Sequence, residues 1–177
     1  QLGNGGSMGL ITGNIANNGA LIFNNSSFPN YGGVISGSGT VEQRGPNTLT
    51  LTADNTYTGL TKISSGTLQL GNGGTTGSVA GNIENNSRLS FNRSNNFTFS
   101  NLISGTGDVD KNGSGTMTLA SGQTYTGGTS VSKGTLRLGG NNRLVSTGSL
   151  FIFGGATFDL AGFSQTVGAF SGPGTAA

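Results

Sequence analysis

The sequence predicts an all-β chain wound into a parallel β-helix, a solenoid of about eight coils. Three observations predict it: a long internal repeat, short segments that alternate apolar and polar side chains, and Gly- and Asn-rich stretches between them. Leu2-Gly3-Asn4-Gly5-Gly6 returns as Leu70-Gly71-Asn72-Gly73-Gly74 and, shortened, as Leu138-Gly139-Gly140, so successive copies stand 68 residues apart. The spacing holds without a gap. Gly13-Asn14-Ile15 maps on Gly81-Asn82-Ile83, Ile35-Ser36-Gly37 on Ile103-Ser104-Gly105, and Thr56-Tyr57-Thr58-Gly59 on Thr124-Tyr125-Thr126-Gly127. The chain therefore divides into a repeat over 2–69, a second over 70–137 and a partial third over 138–177, all in one solenoid spanning 1–177.

Within each repeat, segments such as Thr48-Leu49-Thr50-Leu51, Thr67-Leu68-Gln69-Leu70, Leu89-Ser90-Phe91 and Thr116-Met117-Thr118-Leu119 alternate with the period of a strand. One face is apolar. Leu68, Leu70, Leu136 and Leu138 are expected to point inward, with Gln69 and Arg137 outward, because a slip of one residue would expose every apolar side chain. No segment carries helical spacing. Short strands cannot bury such a face alone, so each coil must stack on the next. A 68-residue unit divides naturally into three coils of about 23 residues, which gives a rod of roughly 35–40 Å at the ~4.8 Å strand spacing.

Composition narrows the function. Charged residues make up 8% of the 177, against roughly 25% in ordinary domains. The net charge of +2 is eight Lys and Arg less six Asp and Glu, and the basic residues are scattered, without the clustered stripe that phosphate neutralisation requires, so nucleic acid is not an expected partner. With no Cys and no His, thiol and imidazole chemistry are excluded, and neither a cofactor nor a metal is expected. No apolar run is long enough for a membrane-spanning helix. The chain starts at Gln1 in mid-motif, and is expected to be a fragment of a larger protein.

Asn55-Thr56-Tyr57-Thr58-Gly59-Leu60-Thr61-Lys62-Ile63 through Gly66-Thr67-Leu68, and its counterpart from Gln123 through Gly134-Thr135-Leu136, resemble the autotransporter-associated β-strand repeat. Ala156 through Gly168 is similar to a coil typical of such passengers. The resemblance implies a right-handed helix, carried through the outer membrane by a translocator barrel that this chain lacks. It also implies a secreted or cell-surface location and a role in adhesion, self-association or biofilm. It carries over no catalytic residues.

Several constellations invite other readings. Asp108 and Asp110, two apart on a strand, would hold carboxylates roughly 7 Å apart, a spacing compatible with inverting glycoside hydrolysis; a solvated strand face accounts for them more simply. Gly105-Thr106-Gly107-Asp108-Val109-Asp110 matches a calcium nonapeptide poorly, lacking its first glycine pair and its tandem copies. Thr48, Thr50 and Thr52, echoed by Thr116 and Thr118, suggest a flat array of the ice-binding kind, which Gln69 and Arg137 should break. Tyr57 and Tyr125 read as packing residues at a corner. Phe23, Phe91, Phe151, Phe153, Phe158, Phe163 and Phe170 are expected to form an inward aromatic stack, and Asn25, Asn86 and similar residues to stack as amide ladders. Asn24, Asn25, Asn85, Asn92, Asn96 and Asn112 stand in sequons, which matter only where the source glycosylates them.

The expected function is a non-enzymatic structural and adhesive stalk. Its expected partners are host-surface or biofilm glycans, proteins or sister rods, with the alternatives of a β-helical polysaccharide-degrading enzyme or an ice-binding-type repeat. Residues 1–10 read as ordinary mid-repeat sequence and Ser171-Gly172-Pro173-Gly174 as a weak stop, so end-to-end continuation of the rod is also expected.

Overall fold

An alternating strand buries one face only when a neighbour lies above and below it, and here that neighbour is the strand one coil away. The computed structural model describes residues 1–6, 11–27 and 30–177. Part of the amino-terminal decade expected to lack a cap, residues 7–10, lies outside the described residues. Among the described residues every named element is a strand, and every pairing between strands is parallel.

One side is an eight-stranded sheet made of β3 (Asn30–Tyr31), β6 (Thr48–Leu51), β8 (Thr67–Leu70), β10 (Arg88–Phe91), β13 (Asp108–Lys111), β15 (Thr129–Val131), β17 (Ser149–Ile152) and β19 (Ala169–Ser171). A second sheet holds β2 (Ala20–Phe23), β5 (Thr40–Gln43), β7 (Thr61–Ile63), β9 (Ile83–Asn85) and β12 (Ile103–Ser104). A third holds β11 (Phe97–Phe99), β14 (Thr116–Leu119), β16 (Thr135–Leu138), β18 (Thr157–Asp159) and β20 (Thr175–Ala176), while β1 (Ile15–Ala16) pairs with β4 (Ile35–Ser36). The result is a β-solenoid of about eight turns, and its longest sheet rises roughly 34 Å at the ~4.8 Å strand spacing.

The coil is shorter than the expected 23 residues. Register partners lie 18 to 22 residues apart, as Thr157 with Thr175 and Thr61 with Ile83. Most step by 20, as Leu89 to Val109. A 68-residue repeat is therefore three coils plus about one further side, and each second copy moves one sheet onward. Strands β5 and β7 lie in the second sheet, but their counterparts β13 and β15 lie in the eight-stranded one. Likewise β6 and β8 belong to the eight-stranded sheet and their counterparts β14 and β16 to the third. The displacement is tolerated because all sides ask for the same thing, an apolar residue at every second position facing one shared core.

That core holds Leu68, Leu70, Leu136 and Leu138 at 1–2% exposure, as expected, with Arg137 exposed and Gln69 half-buried between Thr50 and Ser90. Leu136 is sandwiched between Met117 and Phe158. Leu136→Ala should lower the unfolding free energy by about 2–5 kcal/mol through the cavity it leaves, and a loss under about 0.5 kcal/mol in urea titration would contradict the inward placement.

The aromatic stack is only partly as expected. Phe23, Phe91 and Phe158 are buried, but Phe151, Phe153, Phe163 and Phe170 are among the most exposed apolar side chains. On β17 the inward positions belong to Leu150 and Ile152, so alternation turns Phe151 outward, and Phe153 beyond the strand end is likewise exposed. Phe170 stands in register with inward Leu150 but on the last coil, which none of the described residues covers.

The amide ladders are also replaced. Asparagine oxygens accept backbone N–H groups one coil on: Asn14 from Val34 at 2.9 Å, Asn82 from Leu102 at 3.0 Å and Asn86 from Thr106 at 3.3 Å. A 20-residue step puts backbone rather than a second Asn above each, and Gly45 lies against the backbone of Asn25. These bonds satisfy corner groups that the sheet ladders leave out.

Candidate functional site

A parallel sheet lines up equivalent side chains of successive coils, so the outer surface of a solenoid is a set of columns. On the eight-stranded sheet one column runs Thr48, Thr67, Arg88, Asp108, and its neighbour runs Thr50, Gln69, Ser90, Asp110, Ser130, Phe151. The expected threonine array is interrupted as foreseen, by Gln69 beside Thr50 and by Arg137 beside Thr118. Thr48 and Thr116 moreover lie in different sheets.

Asp108 and Asp110 occupy adjacent columns of this face. Asp108 is exposed and accepts the Gly128 N–H at 2.8 Å; Asp110, 7% exposed, accepts Ser132 Oγ–H at 2.6 Å and faces the Arg88 guanidinium at 3.8 Å. Both carboxylates are thus served by donors from neighbouring coils. That matches a cross-coil tie better than the apolar pocket in which a general acid is kept protonated. Gly105, at φ +99°, turns the corner before them. Among the described residues no three carboxylate-bearing side chains gather as a metal site.

Similar ties recur elsewhere. Glu42 meets Arg44 at 2.7 Å and accepts Ser64 Oγ–H at 2.7 Å, Lys62 faces Glu84 at 3.6 Å, and Arg137 faces Asp159 at 3.4 Å. Burial works against the ionised Glu42 carboxylate, but hydrogen bonds from Arg44 and Ser64, with the charges of Arg44 and Lys62, hold its pKa below the ordinary value. Such exposed pairs contribute at most about 1 kcal/mol each.

Tyr57 and Tyr125 are buried, and each hydroxyl lies 2.6 Å from a threonine Oγ1, Thr61 or Thr129. Burial pushes the Tyr125 hydroxyl up to about 12 despite that bond, and raises Tyr57 as well. Both are packing residues.

Lys111 was not singled out by sequence reasoning, although the signal is visible: it replaces Gln43 of the first repeat. Gln43 donates to the carbonyls of Gly45 and Asn47, and Lys111 Nζ to those of Gly113 and Lys133. Lys111 is 1% exposed, and desolvation lowers its pKa to about 8, with the Asp110 charge opposing. Because the folded value lies below the unfolded one, the unfolded chain binds more protons above pH 8, and stability should rise from about pH 8 towards 10. Above pH 10 it should fall, as the unfolded tyrosines ionise while the buried ones do not. Lys111→Gln should abolish the rise between pH 8 and 10 in urea midpoints; an unchanged rise would assign it to another group.

The model of the family described as Passenger-associated-transport-repeat matches residues 41–70 and 109–142, which are β5 to β8 and β13 to β16 with the corner that follows. A curated protein of Brucella suis biovar 1 (strain 1330), Adhesin BmaC autotransporter, is 43% identical over 100 residues, which cover 56% of this chain and 3% of that protein. No solved structure matches.

Proposed function

This chain carries autotransporter passenger-associated repeats, and from that premise we infer that it is a length of adhesive stalk, displayed at a bacterial surface or released from it. The observation that carries the reading is the pairing of two matched repeats with a rod on whose longest sheet outward polar side chains stand in register, Arg88 and Asp108 exposed and Thr50, Ser90 and Asp110 covered. A rod of stacked coils extends reach, and its columns repeat weak contacts along one direction. Linked weak contacts can raise avidity by roughly 10²–10⁴ without any new interaction. The similar Brucella protein is named an adhesin, and this chain spans only 3% of it, so its binding partner belongs to the test.

Glycans, host proteins and sister rods are the partner classes that fit a polar, nearly uncharged rod, with anchoring through a separate outer-membrane translocator. The test displays the chain on beads and on a non-adherent bacterium. It scores attachment to host cells, attachment to plastic and clumping against an unrelated solenoid of similar length. Attachment or clumping above that control supports the reading, and none in any format removes it. Release of reducing ends from polysaccharides, abolished in Asp108→Asn/Asp110→Asn, would replace it with an enzyme.

A further inference from the structure

Strand β17 carries an aromatic residue outward that the core does not use, and a second follows it. Leu150 and Ile152 fill the inward positions, whereas Phe151 and Phe153 are 36% and 46% exposed and meet edge-on, with ring centroids 4.6 Å apart. A further coil would cover the end face, where Phe170 lies, but not a side chain standing off the flank of the sheet. Together they present an apolar surface on an otherwise polar flank, with which an apolar ligand face can pack.

One coil before Phe151, the outward positions are Ser130 and, in the next column, Gly128; one coil earlier still they are Asp110 and Asp108. Gly128 has no side chain to fill the space between Asp108 and Ser149, and a Cβ built there would stand 2.8 Å from Ser149 Oγ. A cleft of about 270 Å³ results, with Asp108 and Asp110 on one wall, Ser149 and Phe151 on the other, and Gly128 and Ser130 between them. In the first repeat the places of Gly128 and Ser130 hold Leu60 and Lys62, whose side chains would fill such a floor. The recess, formed where the second repeat meets the third, therefore has no counterpart at the matching strands of the first.

We propose that this cleft binds one neutral pyranose residue of a glycan. The apolar face of the sugar ring lies against Phe151, and its hydroxyls donate to Asp108 and Asp110 and exchange bonds with Ser130 and Ser149. A pyranose presents an apolar C–H face and a rim of vicinal hydroxyls, and the cleft offers an aromatic wall opposite a wall of acceptors. Its volume lies just below the roughly 300–1,000 Å³ range of pockets for drug-sized ligands, which suits a single sugar. Two carboxylates against the one Arg88 guanidinium leave the site net negative, which selects against uronic and sialic acids. The proposal rests on the adhesive reading and names its ligand class.

The full chain, isotope-labelled, is titrated with methyl glycosides of glucose, galactose and mannose and with sialic acid. Backbone amide shifts of Gly128, Ser130 and Phe151 are followed, and the bead-displayed chain is applied to an array of neutral and anionic glycans. The expected result is a neutral glycoside that shifts these amides and whose binding falls at least tenfold in Phe151→Ala and in Gly128→Leu. Urea unfolding confirms that each variant is folded, and Ser130→Lys, which also restores a first-repeat residue, replaces Gly128→Leu if that variant is not. Glycoside binding untouched by these variants overturns the site, and preference for sialic acid overturns the charge argument. No glycan binding while displayed beads still adhere to cells overturns the proposal and leaves the adhesive reading; loss of adhesion as well sinks the reading beneath it.

Discussion

Gly134→Val should destabilise the chain by roughly 3–5 kcal/mol, the sum of backbone strain and overpacking. Gly134 holds φ +65° at the corner before β16, a conformation that costs an L residue about 1–2 kcal/mol and a β-branched one more. A Cβ built there would lie 2.5 Å from the Gly115 carbonyl oxygen and 2.6 Å from those of Gly113 and Ser114. Those oxygens belong to the coil below and cannot simply retreat. Gly113 O accepts the Lys111 ammonium, and Gly115 O accepts the Thr135 N–H at 3.3 Å. Gly66, at φ +63°, makes the same corner in the first repeat, so Gly66→Val should behave alike. Urea unfolding followed by circular dichroism measures both, and a loss below about 1 kcal/mol would show that the corner opens freely.

Phe91→Ala should cost about 3–5 kcal/mol, whereas Phe151→Ala should change stability by less than about 1 kcal/mol. Phe91 is 1% exposed, packs edge-on against Phe99 at 5.0 Å between centroids, and also lies near Phe97 at 6.2 Å. Truncation removes a large buried side chain and two aromatic contacts, in a core where the stacked coils above and below limit collapse. Phe151 gives up mainly an edge contact at the surface. Equal losses in the two variants would show that Phe151 is buried after all, and would remove the cleft described beside it.

The inward leucines were legible because Leu68 and Leu70 flank Gln69, and Leu136 and Leu138 flank Arg137: alternation between apolar and polar residues states the register outright. Ser149-Leu150-Phe151-Ile152-Phe153 states no register, since four consecutive apolar residues fit either face. The smaller aliphatic chains took the interior and the rings were left outside. The recess beside Phe151 was illegible for a related reason. It joins Asp108, Gly128 and Ser149 across three coils, and their adjacency follows from a 20-residue step that the 68-residue repeat conceals.

The sequence by itself determined an all-β solenoid of about eight turns with a shared apolar core, because a strand that alternates and repeats can satisfy its apolar face only by stacking on its own successors. Tertiary structure alone decided how long a coil is and therefore which residues are neighbours. Coil length is set by the perimeter that three sides and their corners need around the core, whereas the 68-residue period records only how the chain repeats itself. The two lengths share no common divisor near a coil, so each copy of the repeat faces a different way. Counterpart positions thereby gained unequal surroundings as well as unequal residues: Gly128 lies in a cleft of the eight-stranded sheet, while Leu60, its counterpart, lies on another side of the rod.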